Sequence, residues 1–162
     1  MASEHFLSFI KKAQKLEKSR FEFYSEYHQL GLSQGSEEII EYLIDEKKGH
    51  LNFLLEAEAI FSKGGISEDE PAPEFIRNDI VINKVNKSDY DDDSENAVKE
   101  IKFLEKALEF EEKDNEIYKS LREECDDDYG KDLFEGIINA GSSHIDTIKE
   151  KISRLKDAFN LD

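Results

Sequence analysis

Leu16-Glu17-Lys18-Ser19-Arg20-Phe21-Glu22-Phe23-Tyr24 decides the reading of this chain, because its polar and aromatic positions return in the second half. Glu17, Tyr24 and His50 are matched by Glu111, Tyr118 and His144, every pair separated by the same 94 residues (17 to 111, 24 to 118, 50 to 144). A repeat of this length exceeds a solenoid unit and fits a whole helical hairpin. Two hairpins make four helices.

Working outward from that stretch, apolar residues recur at helical spacing from about residue 3 to 30: Phe6, Phe9, Ile10, Ala13, Leu16, Phe23, Tyr24, Tyr27 and Leu30. Gly31-Leu32-Ser33-Gln34-Gly35 breaks the pattern, and Ser36 followed by Glu37 and Glu38 has the chemistry of a helix N-terminus. A turn this short makes the second helix, about 36–63, antiparallel to the first. Its stripe of Ile39, Ile40, Leu43, Leu54 and Phe61 also passes through Lys47 and His50, and it closes at Gly64-Gly65.

Residues 64–93 differ in kind, holding both prolines (Pro71, Pro73) and the acidic run Asp89-Tyr90-Asp91-Asp92-Asp93. So long a connection fits a crossover joining parallel second and third helices. The acidic run lacks the spaced ligands, central Gly and final Glu of a calcium loop. Asp93 or Ser94 then caps a third helix, about 94–124, and a short turn at Asp126–Gly130 leads into a fourth, about 131–160, whose apolar stripe passes through Gly141 and His144.

Composition agrees with an all-α, up-down four-helix bundle. The 162 residues are enough for one domain spanning 1–162, with 38% charged residues interleaved with apolar ones and only two prolines. A net charge of −17, from 39 acidic against 22 basic residues, argues against a nucleic-acid partner, whose backbone demands cations. Cys125 stands alone, so neither an internal disulfide nor a four-cysteine metal site can form; a small buried hydrophobe near a helix end is the expectation. Met1–His5 has no basic region followed by an apolar run, and no apolar stretch nears the roughly 20 residues of a membrane span. A cytoplasmic protein without a membrane partner is expected.

Each helix thus carries polar side chains on its apolar face: Glu17, then Lys47 and His50, then Glu111, then His144. A buried carboxylate needs a cation, a proton or a metal, and groups at one level of a bundle compensate each other most easily around a shared ion. Tyr24 and Tyr118 belong to the same stripes as core aromatics whose hydroxyls must find partners. His5 and His28 read as surface residues.

Leu16-Glu17 with Phe23-Tyr24, Glu111 with Ile117-Tyr118, and the Asp45-Glu46-Lys47-Lys48-Gly49-His50 segment resemble the ferritin-like superfamily, most closely its rubrerythrin-type domains. The resemblance extends over nearly the whole chain. It implies a di-iron site in which two helices each supply a Glu and the other two each supply Glu-x-x-His. Here Lys47 and Gly141 stand three residues before His50 and His144, where the family has glutamates.

Three arrangements are then open. Glu46, four residues before His50, shares its helix face and could turn inward through a π-bulge near Gly49. Glu17, His50, Glu111 and His144 could hold one metal by themselves, whether iron, zinc or manganese. Or the Lys47 ammonium could take the metal's place beside Glu17 or Glu111, with Gly141 leaving it room.

If metal is bound, the resemblance implies non-haem iron chemistry with oxygen, peroxide or iron itself, of peroxidase or ferroxidase type, with Tyr24 and Tyr118 as second-layer donors. A single cysteine cannot build the two Cys-x-x-Cys pairs of a rubredoxin module, so electrons would come from a separate donor. If not, the chain is a metal-free scaffold or oligomeric interaction module without cofactor. Homodimerisation through a helix face is expected in either case.

Overall fold

The computed structural model describes residues 3–30, 34–62 and 84–162. Four helices carry most of them: α1 (Ser3–His28), α2 (Gln34–Ser62), α3 (Ser94–Glu124) and α4 (Asp128–Ala158). No strand occurs among the described residues. The all-α four-helix bundle expected from the periodicity is what the chain forms. Helix ends move by a few residues from the sequence reading. Helix α2 opens at Gln34, which puts Ser36 inside its first turn. Helix α4 opens at Asp128 because the Asp127 carboxylate accepts from the Gly130 N–H at 2.6 Å and so caps it earlier than Lys131.

Contacts along the helices give the directions. Phe6 stacks on Phe61 with ring centroids 3.9 Å apart, while His28 faces Glu41 at the other end, so α1 and α2 are antiparallel. Tyr118 beside Phe134 and Glu111 beside His144 make α3 and α4 antiparallel too. Phe6 near the start of α1 meets Tyr129 at the start of α4. Tyr90, just ahead of α3, lies against Gly35 at the start of α2. Helices α2 and α3 therefore run parallel. Most of the expected 64–93 crossover, with Gly64, Gly65 and both prolines, lies outside the described residues.

The near end of that connection is described. A short 3₁₀ turn, Lys87–Tyr90, is followed by Asp91 and Asp92 with φ of 57° and 52°, a left-handed conformation that Asp tolerates better than most residues. Asp93 then caps α3, its carboxylate accepting from the Glu95 N–H at 2.9 Å. Tyr90 plunges into the bundle and donates its hydroxyl to the buried Glu100 at 2.8 Å. The Ser36 hydroxyl bonds to the same carboxyl. Glu100 thereby ties the start of α3 and the end of the connection to the first turn of α2.

Burial pushes the Glu100 carboxyl above its usual pKa, against the opposing pull of Lys151, Ser36 and Tyr90. An acid held to its proton more tightly in the folded state loses stability for the fold as pH rises above the ordinary carboxylate range. Glu100→Gln removes that dependence. Its urea midpoint is expected to gain on the wild type as pH climbs from about 4 to 8; a difference between the two that stays flat with pH would refute the effect.

The core is split. One apolar cluster holds Phe6, Ile10, Phe53, Leu54, Leu121, Leu133 and Phe134, and with them Cys125, buried at the C-cap of α3 as expected. Desolvation, reinforced by Asp127 and Asp126, raises the Cys125 thiol to about 11, an inert group rather than a nucleophile. A second cluster gathers Ile39, Ile40, Leu43, Ala97, Leu104, Ile148 and Leu155. On every helix the polar residues singled out by the sequence fall between the two. They form a polar layer across the middle of the bundle.

Candidate metal centre

All eight sequence-predicted residues enter that layer. Glu17, Glu46, Lys47, His50, Glu111, His144, Tyr24 and Tyr118 are each buried, none more than 6% exposed. His5 is exposed and His28 half-buried beside Glu41, both away from it.

The repeat governs the geometry. Tyr118 donates its hydroxyl to Glu17 Oε1 at 2.6 Å, and its counterpart Tyr24 donates to Glu111 Oε1 at 3.3 Å, so each half's tyrosine serves the other half's glutamate. His50 Nδ1 lies 3.2 Å from Glu17 Oε1, and His144 Nδ1 lies 3.6 Å from Glu111 Oε2. One turn further along, Arg20 forms a two-pronged bridge to Asp114, its own equivalent at the same 94-residue offset, at 2.8 and 2.9 Å. The guanidinium also lies 3.9 Å over the Phe110 ring.

The symmetry fails where the sequence breaks it. Lys47 has Gly141 as its counterpart, and Glu46 has Ala140. The Lys47 ammonium donates to Glu111 Oε1 at 2.9 Å and lies 3.7 Å from Glu17 Oε2. Glu46 turns inward from uninterrupted α-helix, with no π-bulge near Gly49. Its Oε2 lies 3.0 Å from His144 Nε2 and 3.9 Å from His50 Nε2. The two imidazoles are nearly parallel, with centroids 5.6 Å apart, and the Tyr42 ring packs edge-on against His144.

Gly141 leaves room, but for another side chain than the expected Lys47. A Cβ there would fall on the Asn115 amide. Asn115 instead donates to Ile138 O at 3.4 Å and Ser142 Oγ at 3.3 Å, filling the space across α3 and α4. A glutamate at 141, as the resemblance would have it, requires the Asn115 amide to move out of this packing.

Two sublayers result. In one, an ammonium neutralises Glu17 and Glu111. Burial alone would raise the Glu17 carboxyl, but Lys47, His50 and the Tyr118 hydrogen bond overcome it and hold the pKa at about 2. Glu111 is likewise held well below the carboxylate range by Lys47 and His144 against its desolvation. Burial would lower Lys47, yet Glu111 and Glu17 keep it charged. In the other sublayer, Glu46, His50 and His144 bring ligand atoms within 4.8 Å of one another. Atoms bound to one ion at about 2.1 Å stand about 3–4 Å apart, so this trio fits a metal with little movement.

Arg20, Tyr42, Asp114 and Asn115 were missed in the sequence. The 94-residue offset, extended one turn beyond Glu17 and Glu111, would have found Arg20 and Asp114; Asn115 and Tyr42 carry no comparable signal. Comparison with family models, curated proteins and solved structures finds no match for this chain. Its fold and site define a four-helix bundle, compatible with the ferritin-like architecture, that carries a buried Glu/His/His group able to hold a metal.

Proposed function

We propose that this protein binds a single divalent transition metal through Glu46 and the Nε2 atoms of His50 and His144, as a reduced relative of the rubrerythrin-type proteins it resembles. The observation that carries the reading is the orientation of the two imidazoles. Each directs Nε2 toward Glu46 and Nδ1 toward a glutamate, Glu17 or Glu111. A metal-binding histidine is commonly oriented by a carboxylate on its other nitrogen. Glu17 and Glu111 are then orienting groups, with Tyr118 and Tyr24 fixing the carboxylates in turn.

Charge supports the same reading. The layer holds one buried ammonium and three buried carboxylates, Glu17, Glu46 and Glu111. Carboxylates outnumber the ammonium in the layer, and a divalent ion offsets the excess. Two histidines and one carboxylate with open positions suit iron(II), and equally zinc or manganese. A bound iron would supply redox chemistry with oxygen or peroxide. This chain's residues would bind the ion, fix the imidazole tautomers and keep water out.

The contact of Lys47 with Glu111 favours a second reading, a metal-free scaffold in which the ammonium suffices and the two histidines share protons with Glu46. Loading with iron(II), desalting and elemental analysis separates the two. About one ion per chain, absent from a His50→Ala/His144→Ala variant, is expected. No retained metal in the wild type would leave the scaffold.

A further inference from the structure

We propose that the Lys47 ammonium is the resident cation of a second cation position, between Glu17 and Glu111, and that it limits the bundle to one metal. This rests on the one-metal reading of Glu46, His50 and His144, but on different atoms. The position is built: Lys47, Glu17 and Glu111 are all at most 2% exposed. Glu111 Oε1 receives the ammonium at 2.9 Å, and Glu17 Oε2 lies 3.7 Å from it. Glu17 Oε2 is buried and accepts no hydrogen bond among the described residues, while Oε1 already serves Tyr118 and His50. The charged group that the structure sets beside that oxygen is the Lys47 ammonium.

The two carboxylates do not depend on Lys47 for their places. Tyr118 and His50 hold Glu17, and Tyr24 holds Glu111, from groups on three different helices. Removing the ammonium therefore leaves two oriented anionic oxygens around a space the size of a lysine end, closed to bulk water. Such a space takes up a small cation. A divalent ion entering the wild-type chain there would have to expel a charged side chain or lie against it, which like-charge repulsion forbids.

The test is cobalt(II) binding per chain, measured by elemental analysis after desalting, in the wild type and in Lys47→Ala, Lys47→Met and Lys47→Arg. The expected result is a rise from about one to about two ions in Lys47→Ala, about one in Lys47→Met, whose side chain fills the space without a charge, and about one in Lys47→Arg, which keeps the charge. One ion in both the wild type and Lys47→Ala overturns the proposal and leaves the one-metal reading standing. No ion in the wild type but one in Lys47→Ala, absent from Lys47→Met, overturns that reading and supports the resident cation. Two ions in the wild type overturn both. Should Lys47→Ala be unfolded without metal by circular dichroism, refolding by cobalt supports the proposal, and failure to refold with cobalt overturns it.

Discussion

Lys47→Met is expected to destabilise the bundle by about 3–5 kcal/mol, the usual consequence of removing one partner from a buried ion pair. Methionine nearly matches the volume of lysine, so packing is preserved and the loss is electrostatic. What remains is the Glu17 and Glu111 pair, desolvated, with hydrogen bonds from tyrosine and histidine but no compensating charge. The deficit should narrow below about pH 4, where protons can neutralise the pair, since a carboxyl depressed in the folded state contributes stability that is present above its unfolded pKa and lost toward its folded one, about 2 for Glu17. Urea unfolding of wild type and variant at neutral and acid pH measures both effects. A loss below about 1 kcal/mol at neutral pH would mean that Lys47 has a solvated alternative.

The second large effect is on thermal stability in the presence of metal. An ion that binds only the folded chain stabilises it by about 2.7 kcal/mol at a hundredfold excess over Kd. For a protein of this size that raises Tm by about 5–10 °C. Zinc or manganese should produce the rise in the wild type and in Lys47→Met, which keeps Glu46, His50 and His144. It should fail in His50→Ala/His144→Ala. An equal rise in that double variant would place the ion on the surface carboxylates of this strongly acidic chain, and would remove the support for a buried centre.

Much of this protein is legible in one dimension because the helix is a local structure. Apolar residues at intervals of three and four define four amphipathic faces, and short turns at 31–35 and 126–130 dictate antiparallel hairpins. The same periodicity placed Glu17, Lys47, His50, Glu111 and His144 on buried stripes, and the 94-residue offset put them at one level. Their burial follows from the register of a regular helix, which needs no knowledge of neighbours.

What the register could not supply was the partner of each buried group. Whether Glu46 faces in or out depends on a half-step of helix rotation, and His144 from across the core, with His50 one turn along the same helix, meets its carboxylate on the inward side. Gly141 looked like room for Lys47, yet α3 and α4 approach so closely there that Asn115 takes the space. Ser36 reads as a cap, but Glu100, 64 residues away in the chain, binds its hydroxyl inside the first turn. The four helices, their directions and the polar layer were determined by the sequence alone, through backbone periodicity and the free energy of burying apolar faces. The pairing of charges within the layer, Lys47 with the two glutamates and Glu46 with the two histidines, was decided only by tertiary structure, because an electrostatic partner is chosen by distance in space across helices that the chain itself does not align.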